Sequence, residues 1–134
     1  MRFPAMMRAQ APLTGLAAAL VVTLSLAGPA SAGDAAAGKS VFNSQCAMCH
    51  TITAGGPNLL GPNLHGIVGR TAGTLKGYNY SPAMKATGFV WTSEKLSAYV
   101  AGPATVVPGN KMPYAGLHQP LKVVDLMAFL ASQN

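Results

Sequence analysis

Two cysteines three positions apart, followed directly by a histidine, constrain this chain more than any other feature: Cys46-Ala47-Met48-Cys49-His50. This spacing is the attachment signal for a c-type haem. Each thiol adds to one vinyl group of the porphyrin, and the two-residue spacer matches the separation of the vinyls. The histidine then falls beneath the ring, within reach of the iron. A chain with such a tether has to fold around a large, flat, apolar group. The chain has 2 cysteines, and both lie in the motif.

The N-terminus reads as a leader. Arg2 and Arg8 form a positive region, Leu13 to Ala27 is apolar, and Ala30-Ser31-Ala32 is a small-residue cleavage site. Cleavage there separates a signal peptide, residues 1–32, from a single domain, residues 33–134. The alternative is a retained membrane tether. The apolar stretch is short for a span of about 20 residues, and Thr14, Gly15, Thr23 and Ser25 interrupt it. Export also bears on the motif, because exported thiols this close are usually oxidised, metal-bound or modified. The expected location is a bacterial periplasm. Nothing in residues 33–134 is long and apolar enough to span a bilayer.

A domain of this size has a modest core, to which a buried haem would add substantially. The formal charge of +6 falls to +4 without Arg2 and Arg8. Two ionised haem propionates would lower it to about +2. The lysines are scattered, with no basic run and no interleaved aromatic residues, which argues against nucleic acid as a partner.

The pattern predicts an all-α domain with long loops. Asp34 caps a first helix running to Gln45, rich in alanine, with Val41 and Phe42 on its apolar face. Thr51 to Gly77 is rich in Gly, Pro, Asn and Thr and reads as a loop, long enough to imply something to wrap around. Ser81-Pro82 opens a helical turn to about Thr87. Thr92 caps a helix over Ser93 to Ala101, ended by Gly102-Pro103. Pro103 to Gln119 reads as loop, and Leu121 to Ser132 as the last helix, with Val123, Leu126, Met127 and Leu130 at helical spacing. No stretch alternates as a strand.

His50 supplies one axial ligand by its place beside Cys49. The candidates for the other are Met84, Met112, Met127, His65 and His118. Met48 lies inside the attachment motif and cannot reach across the ring. Met112 is preferred, because two prolines and a glycine stiffen Val107-Pro108-Gly109-Asn110-Lys111-Met112-Pro113-Tyr114 into a loop that can lie against a ring. Met127 fits helix packing, Met84 packing under the ring, His65 a bond within its loop, and His118 an exposed position. A thioether ligand favours reduced iron and raises the potential.

These residues resemble class I cytochrome c, in its mitochondrial and bacterial c2-like branch. The resemblance runs from Cys46 to about Leu130. It rests on the haem motif and on Gly61-Pro62-Asn63-Leu64-His65-Gly66-Ile67-Val68-Gly69-Arg70. It continues through Tyr80-Ser81-Pro82-Ala83-Met84, Trp91, Tyr99, Pro103 and Pro108-Gly109-Asn110-Lys111-Met112. It implies one covalent haem c with His50 and Met112 as axial ligands. It gives Pro62 a carbonyl that orients His50. Arg70, Tyr80 and Trp91 would surround a buried propionate. Tyr99 would lie near the Met112 sulfur, and Gly38 and Phe42 would pack on the last helix near Leu126 and Phe129. Asn110 stands where the family usually has threonine, and would donate to a propionate or to ordered water. Pro82 replaces a usual acidic residue. The family also rings its exposed haem edge with lysines; here those places hold Ser40, Gln45, Leu59, Ala104, His118 and Gln119, leaving only Lys111.

The implied function is a monomeric, single-haem electron carrier, not an enzyme. Its expected partners are redox proteins: a quinol–cytochrome c oxidoreductase as donor, and a terminal oxidase, photosynthetic reaction centre or reductase as acceptor. Docking would rest on apolar contact from Leu59, Leu60, Ala104 and Val106. Two other readings compete. A ligand-binding or peroxidatic haem protein requires Met112 to be labile. A zinc or thioredoxin-like thiol module requires further ligands beyond His50, His65 and His118, or a βαβ pattern, which is missing.

Overall fold

The computed structural model describes residues 32–134. The leader expected over residues 1–32 therefore lies, apart from Ala32, outside the described residues. Five helices follow in order: α1 Ala35–Gln45, α2 Pro82–Lys85, α3 Ser93–Ala101, α4 Pro103–Val106 and α5 Pro120–Ala131. Among the described residues there is no sheet. A single antiparallel bridge, Thr71 with Val90, ties two loops together.

Local chemistry sets the helix starts. The Asp34 carboxylate accepts from the N–H groups of Ala36 at 2.8 Å and Ala37 at 3.2 Å, satisfying two of the donors a helix leaves open at its first turn. Ser81 Oγ accepts from Met84 N at 3.1 Å and Thr92 Oγ1 from Lys95 N at 3.2 Å. Proline occupies the first turn of α2, α4 and α5, where a missing N–H costs nothing.

The expected elements stand, with three differences. Helix α2, expected to about Thr87, ends at Lys85. The last helix begins at Pro120 and ends at Ala131. The segment after Gly102, read as loop, opens with the short α4. Gly102-Pro103 does end α3. Pro103 also starts a new turn, and Val107 closes that turn with its N–H on the Pro103 carbonyl at 2.9 Å.

The frame is the crossing of α1 on α5. A Cβ at Gly38 would overlap the Asp125 carbonyl and stand 2.8 Å from Phe129 Cβ, so only glycine permits this approach. One turn on, Phe42 and Phe129 pack with ring centroids 5.6 Å apart. The Asp34 N–H donates to Asp125 Oδ1 at 2.8 Å, closing the N-terminal end of the crossing. Leu126, 1% exposed, is the most enclosed side chain of α5. α3 packs beside α5. From its face Tyr99 meets Trp91, with centroids 4.9 Å apart, and Trp91 meets Phe89 at 4.7 Å.

Gly38→Val should lower stability to chemical denaturation by at least about 3 kcal/mol, because the added atoms meet backbone that cannot turn aside. Leu126→Ala should cost about 2–5 kcal/mol by leaving a cavity.

Candidate haem site

α1 delivers the motif. Its last turn runs on, with the Cys46 N–H on the Phe42 carbonyl at 2.8 Å and the His50 N–H on the Cys46 carbonyl at 2.9 Å. Cys46, Cys49 and His50 come together on the wall of a largely apolar cavity of about 340 Å³. Both thiols are free of any disulfide. Burial and the neighbouring Cys49 push the Cys46 thiol up to about 11, so it is protonated at neutral pH.

His50 is oriented from behind. Its Nδ1 lies 2.7 Å from the Pro62 carbonyl oxygen. A carbonyl can only accept, so Nδ1 carries the hydrogen and Nε2 keeps its lone pair. Burial holds the imidazole below its usual pKa, against the opposing pull of the Pro62 bond, and so favours the neutral form that binds metals. Gly61 makes this placement possible, since a Cβ there would overlap the His50 ring. Its N–H also donates to the Cys49 carbonyl at 2.8 Å, pinning the loop to the motif.

The remaining wall comes from distant segments. Pro62, Tyr80, Trp91, Tyr99 and Met112 all line the cavity, as do Met84, Leu126 and Leu130. Of the other ligand candidates, Met84 is buried against the cavity, Met127 is buried in α5 and His118 is exposed. His65 is tied into its loop through its backbone N–H, which donates to Asn63 Oδ1 at 2.8 Å.

Arg70 and Asn110 are not on the wall. Arg70 Nη2 donates to the Asn63 carbonyl at 3.1 Å, while its Nε is buried with no hydrogen-bond partner among the described residues. Arg70 stands close enough to Tyr80 for its charge to favour the phenolate, although burial dominates and raises the Tyr80 pKa. An orphaned guanidinium N–H of this kind suits a carboxylate. The Asn110 carboxamide is engaged within its own loop, donating one Nδ2 hydrogen to the Val107 carbonyl at 2.9 Å and accepting from Met112 N at 2.7 Å.

Sequence reasoning missed the role of Asn63, which is 6% exposed. Its amide donates to Thr51 Oγ1 at 2.7 Å and to the Thr53 carbonyl at 2.9 Å, and its own N–H reaches Asn58 Oδ1 at 2.9 Å. It holds the loop from Thr51 to Arg70 in place of a helix or strand. The only available signal was an asparagine within a Gly/Pro-rich run, where such side chains commonly bond to nearby backbone. Two ties across the wall were also missed: Tyr78 Oη to the Leu60 carbonyl at 2.8 Å, and Tyr114 Oη to Gln45 Oε1 at 3.1 Å.

The residues present fit a haem. Two thiols line a largely apolar cavity, an imidazole is set with one free lone pair, and a buried guanidinium N–H without a partner among the described residues lies close to Tyr80 of the wall. A haem held here would supply the one-electron ferric/ferrous chemistry. The chain holds the group, orients His50 and lines the space with apolar side chains.

Comparison with known proteins agrees. The cytochrome c family model matches residues 35–134. The chain is 43% identical to cytochrome c2 of Blastochloris viridis over 115 residues, covering 86% of this chain and 90% of that protein. It is 45% identical to cytochrome c2 of Rhodopila globiformis over 103 residues, covering 77% and 96%. It is 42% identical to cytochrome c of Cochliobolus lunatus over 102 residues, covering 76% and 94%. With the paired thiols, the oriented imidazole and the apolar cavity, this match places the chain in the cytochrome c family, as a single-haem electron carrier of the c2 and mitochondrial type holding one haem c through Cys46 and Cys49.

Proposed function

We propose that His50 Nε2 and the Met112 sulfur close the two axial positions of the iron, and that the carrier works in the periplasm between membrane-bound redox complexes. The observation that carries the ligand assignment is the 2.7 Å bond from His50 Nδ1 to Pro62, which leaves Nε2 available in a residue that lines the cavity. Met112 lines the same cavity, from a loop remote in sequence. Pro62 orients the imidazole. Arg70, Tyr80 and Trp91 neutralise and enclose the inner propionate, and Tyr99 packs on the Met112 side. His50 and Met112 would together hold the iron and leave no place on it for a substrate. The donor is a quinol–cytochrome c oxidoreductase, and the acceptor is a terminal oxidase, reaction centre or reductase. The leader is removed after Ala32, and the mature carrier is a monomer.

The proposed docking face surrounds Leu60, which lines the cavity and is 79% exposed, with Leu59 beside it at 47%. Ala104 is exposed in α4, while Val106 is half-buried and contributes less than expected. Ser40, Gln45 and Gln119 are exposed and uncharged, and His118 is exposed as well. Lys111, the one lysine expected at the haem edge, places Nζ on the Asn79 carbonyl at 2.8 Å. Desolvating apolar side chains supplies the attraction, with little long-range steering.

Met112→Ala should abolish the thioether–iron absorption band of the ferric protein. It should also lower the reduction potential, by on the order of 0.1 V within the about 0.8 V that axial ligands span. A wild-type protein that lacks the band and reacts readily with peroxide would instead mark an open haem. Electron transfer to a purified partner complex should slow less than tenfold between low and physiological salt, measured by stopped flow; a larger fall would point to charge-steered docking. The native protein should have the mass of residues 33–134 plus one haem.

A further inference from the structure

The Asn110 carboxamide bridges two points of the loop that carries Met112. The loop leaves the buried Val107, which is 3% exposed and caps α4. Val107-Pro108-Gly109-Asn110 then makes a tight turn, closed by the Asn110 N–H on the Val107 carbonyl at 3.1 Å. Proline at the second place and glycine at the third, with φ +82°, are what a type II turn requires. Asn110 Nδ2 adds a second bond to the same carbonyl at 2.9 Å, and Oδ1 accepts from Met112 N at 2.7 Å. Downstream, the Met112 carbonyl accepts from Tyr114 N at 2.9 Å. Pro113 removes most of the helical region from Met112's own backbone. Both polar backbone groups of Met112 are thus satisfied inside the loop, and its N–H depends on one side chain.

We propose that Asn110 is a positioning residue for Met112: its carboxamide transmits the rigidity of Val107 and α4 to the Met112 backbone and so limits withdrawal of the thioether from the iron. This rests on Met112 being the second axial ligand, as proposed above. It stands beside the expected role of Asn110 as a propionate donor, for which the second Nδ2 hydrogen remains. A propionate contact would act on the haem carboxylate, whereas the clamp acts on the equilibrium between seated and withdrawn Met112. An exogenous ligand binds only the withdrawn state, so its apparent affinity reports that equilibrium.

The test uses the haem-loaded ferric protein with imidazole as probe, followed by the Soret and thioether bands at fixed pH. Asn110→Ala should bind imidazole about tenfold more tightly than wild type, the factor expected when one or two hydrogen bonds are lost. Asn110→Asp keeps the acceptor for the Met112 N–H but loses the donor to Val107, and should tighten binding only about threefold. Far-UV circular dichroism establishes that each variant is folded, and the Asp variant decides the matter where the Ala variant is not. Unchanged imidazole affinity in folded variants overturns the proposal. A shifted potential with unchanged imidazole affinity also overturns it, and returns Asn110 to the carboxylate. A wild-type protein without the thioether band overturns the ligand assignment itself, which separates the two failures.

Discussion

The close crossing of α1 and α5 at Gly38 is the constraint on which the rest of this structure depends. Removing the Cβ lets α1 lie against the Asp125 carbonyl, and Phe42 then meets Phe129 one turn later. That geometry fixes the end of α1, and the end of α1 fixes Cys46. Everything the haem motif does follows from where Cys46 is delivered. The cavity sits where a domain of this length would otherwise place the centre of its core, with Leu126 and Leu130 of α5 forming part of its wall. The frame is thus packed on one side by aromatic rings and on the other by the space the haem takes.

Most of the wall opposite that frame is loop, and loops around an apolar group need their own polar bookkeeping. Two asparagines carry much of it. Asn63 gathers Thr51, Thr53, Asn58 and Arg70 around one buried carboxamide and its backbone. Asn110 does the same on a smaller scale for Val107 and Met112. Each replaces regular secondary structure with side-chain bonds to backbone groups, which satisfies buried donors without a ladder or helix. One holds the loop behind His50, the other the loop of Met112, so the two proposed axial ligands are steadied by similar means from opposite ends of the chain. Such steadiness suits a carrier, because a site that changes little between oxidation states has little to rearrange on each transfer.

The outside of the cavity is chemically distinct from its interior. Leu60 belongs to both: it lines the space and is 79% exposed. The exposed lysines Lys39, Lys85, Lys95 and Lys122 sit on helices. Lys111 is tied to Asn79. At the proposed docking face, apolar contact and weak charge would suit brief encounters with small interfaces, where fast release matters as much as capture.

The sequence alone was enough for the haem tether and for the helix starts at Asp34, Ser81 and Thr92. Those features are local: a cap bonds within three residues, and the thiol spacing lies within one turn. The family resemblance extended this to the packing of Gly38 and Phe42 on the last helix, and to Pro62, Tyr80, Trp91, Tyr99 and Met112, all five of which line the cavity. Only the tertiary structure decided what Asn63 and Asn110 do, that Pro103 opens α4, and that Lys111 and Tyr114 are tied to Asn79 and Gln45. The physical reason is that an asparagine has both donors and acceptors and can serve a ligand, a turn or a distant strand of loop equally well. Which partner it takes depends on where the backbone brings free carbonyl and N–H groups, and that is fixed only when the loops close over the cavity.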